Sequence, residues 1–476
     1  MTRSALDKAY WLSEDLTAYG HNLDQDIQDL LTKIYDNAGV TRRHPARHLP
    51  QLKILVLNFL KATEYPEGLM AMPMSSGRYS EFQHLNYRVT RELLIQTLQD
   101  MKWISIKRGY QYGRKGRLSR LKPNKPFGDW LKKLHIDDHH IERQPPKLTL
   151  QYKDKNKKPI PVPESLHAEA EKLDAGTKEI NENLKSTFID LFIDGYELED
   201  LESRMADKSE ENPFQQYKLD QSQRYLKRVF NNESLEDGGR FYGGWWQSIP
   251  SEYRKYISLN GDLTIEMDYS SIHIHLLYAE LQSSCPHKDH YVFGKLTKAF
   301  RPVTKTLMMI LINASSEKAA LAAAEKQGLF NDGLPKGIET PKDYVEEIYA
   351  HHEPIKEFFG SGYGVKLQFK DSQIAEAVML QMLPEPCLPV HDSFIVRKDQ
   401  AQKLKRVMNE QFKLFTGIDA EIKTDVLKVD KYREKIIKEL INDDLSTYSQ
   451  RFTKWLKRYR WKDIVDGRSP IDLPRL

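Results

Sequence analysis

The chain has 476 residues, of which 39% are hydrophobic and 29% charged, and its 72 Lys+Arg against 68 Asp+Glu leave a formal net charge of +4. That length admits about two to four domains, and the composition excludes collagen, mucin and wholesale disorder while leaving enough apolar residues for a sizeable core. Two cysteines, Cys285 and Cys387, exclude a disulfide scaffold. The longest apolar run, Leu307–Ile312, falls far short of the roughly 18 residues of a membrane span, and the opening MTRSALDKAYWLSEDL has no signal-peptide core, so a cytoplasmic setting is expected.

Taken in chain order, Gln51–Tyr65 has helical spacing and stops before Pro66-Glu67-Gly68. MAMPMSSGRYS then reads as a loop. Tyr87–Met101 predicts a second amphipathic helix, with Leu94, Leu98 and Met101 on one face. A β-prone run and a Gly-rich basic turn follow, and helix, helix, basic hairpin is the order of a winged helix. From Lys102 to Lys133 there are eleven Lys/Arg and one acidic residue, Asp129. Tyr110, Tyr112, Trp103, Phe127 and Trp130 are interleaved with them. Such a stripe can neutralise phosphates and offer stacking faces. Lys107, Arg108, Arg114, Lys115, Arg117 and Arg120, around Gly109, Gly113 and Gly116, are the candidate backbone contacts. A solvated basic loop is the bland alternative.

Residues 144–165 are rich in Pro and Lys and suit a domain boundary with one hairpin. Helical, charged sequence is expected from His167 to about Phe230. Glu317–Gln327 predicts a helix stopping at Gly328, and Gln400–Phe415 another.

Three segments carry chemistry. Leu263–Asp268 alternates, with Leu263, Ile265 and Met267 facing one way and Thr264, Glu266 and Asp268 the other. This strand delivers Asp268 at its polar end, and the sequence after it is helical. In Arg301–Ala314, residues Arg301, Lys305, Met309 and Asn313 recur every four positions and share a broad helical face. Pro302 places the helix start near Arg301, so two cations and a helix N-terminus form an anion site suited to a triphosphate. In CLPVHDSFIV, two short β runs flank His391-Asp392-Ser393, a tight hairpin with Asp392 at its tip. Two aspartates brought together repel unless cations lie between them. Two Mg²⁺ about 3.5–4 Å apart remove that repulsion and can activate a 3′-hydroxyl and steady a leaving pyrophosphate.

In this order the segments resemble motifs A, B and C of the family A DNA polymerases and the phage-type single-subunit RNA polymerases. DYSSI (Asp268–Ile272) is similar to the family A motif, whereas RPVTKTLMM (Arg301–Met309) and VHDSF (Val390–Phe394) are closer to the RNA polymerase forms. GGRFYGGWWQSIP (Gly238–Pro250) stands where those families carry a Gly-Arg element that contacts template or product, and Arg240 is the matching residue. The resemblance covers roughly residues 235–400. It implies an α+β fold: a right-hand polymerase palm with a small antiparallel sheet and reduced helical fingers. A mostly helical, basic, winged-helix-like region precedes it. The expected organisation is a nucleic-acid-binding region over 1–143, a linker and thumb-like segment over 144–234, the polymerase core over 235–430 and a helical tail over 431–476.

The implied activity is template-directed nucleotidyl transfer, with nucleoside triphosphates and a nucleic-acid template, DNA favoured, as partners. Asp268 and Asp392 bind two Mg²⁺ with help from the Tyr269 carbonyl. Arg301, Lys305, Met309, Asn313, His273 and Tyr269 form the nucleotide pocket, and Lys305 is also the proton donor. Both families place a tyrosine and then a glycine late in motif B, where Asn313 and Ala314 stand here, and His273 replaces the glutamate that blocks a 2′-hydroxyl in family A. RNA synthesis or priming is therefore the first expectation, a compact DNA polymerase the second, and a DNA-binding replication or regulatory protein with a relic palm the third. Of the remaining candidates, Cys285-x-His287-x-x-His290 has zinc-ligand residue types but falls short of four ligands. His139-His140 and His351-His352 read as surface pairs, Ser393 as a turn residue beside His391, and the segment from Asp371 as a core helix.

Overall fold

The computed structural model describes residues 9–18, 23–65, 67–80, 82–112, 115–136, 141–193, 195–211, 219–283, 285 and 289–425. The tail expected over 431–476 lies outside the described residues. Among those described, no helix is long and apolar enough to cross a membrane.

The N-terminal part has an apolar core of its own, running from Tyr10 to Ile141. Its centre is the helix Pro45–Thr63, which starts with Pro45 in its first turn and buries Leu52 and the run Ile54–Leu60. Pro45 fits because a first-turn N–H has no intrahelical partner to lose. A helix that is apolar nearly all round must be enclosed, and Asp24–Asn37 and Arg88–Asp100 pack beside it. Met70–Met72, expected as loop, is a strand between Tyr10–Trp11 and Ser119–Pro123. Both partners are remote in the chain, so no local signal marks it. Ile104–Lys107 completes a four-stranded sheet, and Tyr110–Tyr112 pairs with Lys115–Arg117 as the basic hairpin. Trp103, Phe127 and Trp130 pack on one another, and Phe127 on Phe59. These aromatics are core, not free stacking faces.

The segment expected to be helical from His167 to Phe230 breaks into the helices His167–Lys185 and Gly195–Glu211 and the strands Ile189–Leu191 and Lys227–Phe230. Lys227–Phe230 joins Leu150–Tyr152 and Gly238–Tyr242 in a three-stranded sheet.

The largest sheet is antiparallel throughout. Its strands are β1 (Ile189–Leu191), β2 (Ile257–Leu259), β3 (Asp262–Tyr269), β4 (Leu388–Val390), β5 (Ser393–Arg397) and β6 (Ile422–Asp425). They run in the order β1-β2-β3-β5-β4, and β6 pairs with β3. Four helices matter to the site: α1 (Ile272–Glu280), α2 (Arg301–Asn313), α3 (Gly364–Met382) and α4 (Ala401–Thr416). The one expected from Asp371 is α3, which starts earlier, at Gly364, and buries Ile374, Val378, Met379 and Met382 as expected. It packs against α1, α2, α4, the helix His167–Lys185 and the strand Gly238–Tyr242. The expected alternation of β3 fails at Thr264, which is buried and donates its hydroxyl to Ile257 O at 2.8 Å.

The C-terminal end of α2 is held by the loop that leads into α3. Gly360 N–H donates to Leu311 O at 2.7 Å and Gly362 N–H to Ala314 O at 2.8 Å. Both glycines have positive φ, but a Cβ on Gly360 would lie 2.8 Å from Glu317 N, whereas one on Gly362 would meet nothing within 4 Å. Gly360→Ala is thus expected to lose about 2–3 kcal/mol in denaturant unfolding, and Gly362→Ala about 1–2 kcal/mol. Equal losses would mean that the backbone at Glu317 yields to the added Cβ.

Candidate active site

Asp268 and Asp392 meet because of strand register. Asp268 pairs with Ser393, and Tyr269 N–H donates to Asp392 O at 3.3 Å. Two left-handed residues flank the pair: Ser271, φ 53°, at the turn from β3 into α1, and His391, φ 57°, in the β4–β5 hairpin. Such backbone is strained for residues with a Cβ and gathers at functional turns. Ser393 Oγ donates to Glu266 and to Val390 O, closing the hairpin. Its hydroxyl is structural, as expected. Arg254 Nε also reaches Glu266, at 3.0 Å.

The Asp268 carboxyl is pushed up to about 7. Burial is the main cause and the Asp392 charge adds to it, while Lys305 and, from β6, Lys423 pull the other way. A partly buried carboxyl beside a second one is a group that a divalent cation would relieve. Lys423 lies opposite Asp268 in the register.

The cationic face forms as expected on α2, which runs Arg301–Asn313 with Pro302 in its first turn. Lys305 and Asn313 are exposed and Arg301 and Met309 half-buried. Arg301 is aimed from behind: its Nε donates to Asp289 Oδ2 at 2.8 Å and its guanidinium lies over the Tyr291 ring. Asn313 Nδ2 donates to Met309 O at 2.8 Å, and its Oδ1 crowds the Gly364 Cα hydrogens. Tyr269 is buried, its hydroxyl donating to Met408 O at 2.7 Å, so only its backbone can face the aspartates.

His273 and Arg240, expected as nucleotide and template contacts, are both hydrogen-bonded within the protein. His273 is buried, with Nε2 at 3.0 Å from both Asp371 Oδ2 and Arg240 Nη2. Arg240 makes a two-nitrogen ion pair with Asp371 of α3. This triad ties the Gly238–Tyr242 strand, α1 and α3 together, and Arg240 feels the Asp392 charge. Asp289, Asp371, Glu266 and Lys423 were not legible as site residues, because each acts through a partner distant in the chain.

Of the basic set, Lys107 and Arg108 are exposed and Arg117 is half-buried. Arg120 is corrected: it is buried, its guanidinium donating to Leu118 O at 2.9 Å, since Ser119–Pro123 is an inner strand of the four-stranded sheet. Arg114 and the Lys115 side chain lie outside the described residues, as do His287, His139 and His140. His352, expected at the surface, is buried and held by the Tyr278 hydroxyl at 3.1 Å, and His351 stacks on Phe293.

A carboxyl whose value in the folded protein lies above its ordinary one favours folding while protonated. That contribution is complete below the ordinary carboxylate range and is lost as pH rises through about 7. Asp268→Asn removes the loss. In the absence of divalent cations it should unfold about 2–4 °C above the parent at pH 8.5, with the gap closing by pH 4. A constant gap would place the repulsion elsewhere.

No protein-family model matches this chain, and neither does any curated protein. Among solved structures, a match is the "POL domain of Pol1 from M. smegmatis" in complex with DNA primer-template and dNTP, at TM-score 0.30 and 10% identity. It covers 86% of this chain and 66% of that one, so this chain spans just under two thirds of that structure. At this TM-score the likeness bears on neither activity nor substrate.

Proposed function

We propose that this protein is a template-directed nucleotidyltransferase with a polymerase palm built on β3, β5 and α2. The observation that carries this reading is the meeting of Asp268 and Asp392 at adjacent strand ends, with the Lys305 charge felt at Asp268. The match of Asp268–Ile272, Arg301–Met309 and Val390–Phe394 to three polymerase motifs supports it. Asp268 and Asp392 would hold two Mg²⁺, with the Tyr269 carbonyl assisting. When bound, these ions supply activation of a 3′-hydroxyl and charge neutralisation on the leaving group.

The 3′-oxygen attacks the α-phosphorus of a nucleoside triphosphate, the bond to the β-phosphate oxygen breaks, and pyrophosphate leaves. Arg301, set by Asp289, and Lys305 grip the triphosphate from the first turns of α2. Lys305 gives a proton to the departing pyrophosphate. Arg301–Met309 and Val390–Phe394 are closer to the RNA polymerase forms of their motifs, which favours ribonucleotides.

Asp392→Asn and Asp268→Asn should each lower Mg²⁺-dependent incorporation of a labelled nucleotide at least about 10³-fold while duplex binding stays within about twofold. Normal extension by either variant would remove the palm reading. Ribo- and deoxyribonucleotides offered separately, on primed and unprimed templates, test the sugar choice. Exclusive use of deoxyribonucleotides would make this a DNA polymerase.

Lys107 and Arg108 are proposed to lie along the nucleic-acid backbone, and phosphate contacts position without reading sequence. Changing both to alanine removes about two phosphate contacts, so the slope of log affinity against log salt on duplex DNA should become shallower by about 1.8. An unchanged slope would remove Lys107 and Arg108 from the binding surface and leave the palm reading intact.

A further inference from the structure

A second cluster of ligand-type side chains joins α1 to the segment preceding α2. His275 of α1, Cys285 and His290 each offer one ligand atom, and the three atoms lie within 4.8 Å of one another. His290 Nε2 is 3.0 Å from His275 Nε2, and Cys285 Sγ is 3.3 Å from His290 Nδ1. His275 and His290 are buried and Cys285 is half-buried. The spacing Cys285-x-x-x-x-His290 alone lacked ligands; the fold adds His275 from a different element.

We propose that His275, Cys285 and His290 bind one zinc ion that fastens α1 to the loop preceding α2. Two imidazoles and a thiolate are a zinc donor set. Tetrahedral bonds of about 2.0–2.1 Å to nitrogen and 2.3 Å to sulfur place ligand atoms about 3.3–3.6 Å apart, so closing the site takes side-chain shifts of an ångström or so.

The surroundings of the cluster are fixed as a metal site requires. His275 also hydrogen-bonds the Ser270 backbone, at the turn after Asp268. His352 Nε2 lies 3.0 Å from the His290 carbonyl, and the Tyr278 hydroxyl holds the other His352 nitrogen. The zinc would act as a positioning element. Asp289, which aims Arg301, is the residue before His290, and Asp268 lies in the strand that leads into the helix carrying His275. The site stands on its own donors and does not depend on the nucleotidyl-transfer reading.

The alternative is a metal-free hydrogen-bonded chain of one thiol and two neutral imidazoles. Untagged full-length protein, gel-filtered after zinc addition, should retain about one zinc per chain by elemental analysis. Cys285→Ser and His290→Gln should each bind at least about tenfold more weakly, whereas the double variant Asp268→Asn/Asp392→Asn should keep its zinc. Cobalt loading of the parent should give a near-ultraviolet thiolate-to-cobalt band, which reads the cysteine ligand even if Cys285→Ser does not fold. Retention of no zinc, zinc unaffected by Cys285→Ser, or a cobalt spectrum without the thiolate band would each overturn the proposal.

Discussion

The antiparallel register of β3 against β5, Asp268 opposite Ser393, is the constraint on which the rest of this site depends. Side chains alternate faces along a strand, so a slip of one residue would turn Asp268 to the opposite face and separate it from Asp392. The register is secured from both sides. Met267 and Phe394 form a buried cross-strand pair, Ser393 Oγ bonds Glu266, and β6 brings Lys423 opposite Asp268. Apolar burial thus brings the two carboxyls to adjacent strand ends, and that burial first, the Asp392 charge second, raises the Asp268 carboxyl.

Behind the sheet, α3 gathers arginines that fix how the surrounding elements sit. Arg228 is buried, donates to Gly239 O, Glu376 and Ser372, and lies against the Phe230 and Phe241 rings. Arg240 pairs with Asp371, with His273 against both. Buried ion pairs add little net stability over a well-packed apolar core, yet losing one partner costs about 3–5 kcal/mol. Their effect here is geometric. They leave one arrangement of the Gly238–Tyr242 strand, α1 and α3 in which no charge is stranded. The same logic extends to Arg301, which reaches the site with its orientation already set by Asp289 and Tyr291.

The N-terminal region is joined to the later part of the chain by Arg143, which pairs with Asp15 and Asp220. Its apolar core is built from its own helices and sheet. Trp103, Phe127 and Trp130 complete that core while Tyr110 stays exposed, and Arg120 turns inward on a central strand. Lys102, Lys107, Arg108, Lys125, Lys132 and Lys133 are exposed. A few exposed cations on a firm platform suit sequence-independent backbone contact, which is salt-sensitive by nature.

The sequence by itself determined the local parts of this protein. A strand ending in Asp268, a helix starting at Arg301 with cations on one face, a hairpin with Asp392 at its turn and the core helix α3 were all legible, because alternation, four-residue spacing and turn chemistry are properties of neighbouring residues. Tertiary structure alone decided the rest. Met70–Met72 and Ile189–Leu191 are strands because remote segments pair with them, and β6 carries Lys423 to Asp268 from beyond α4. Arg240 and His273 have the residue types of a substrate contact, but a carboxylate more than a hundred residues away from Arg240, Asp371, claims them both. His275 joins Cys285 and His290 only once α1 is packed. Each of these outcomes rests on which side chains meet across the fold. Local spacing carries no record of that, because burial and charge pairing are settled between segments and not within them.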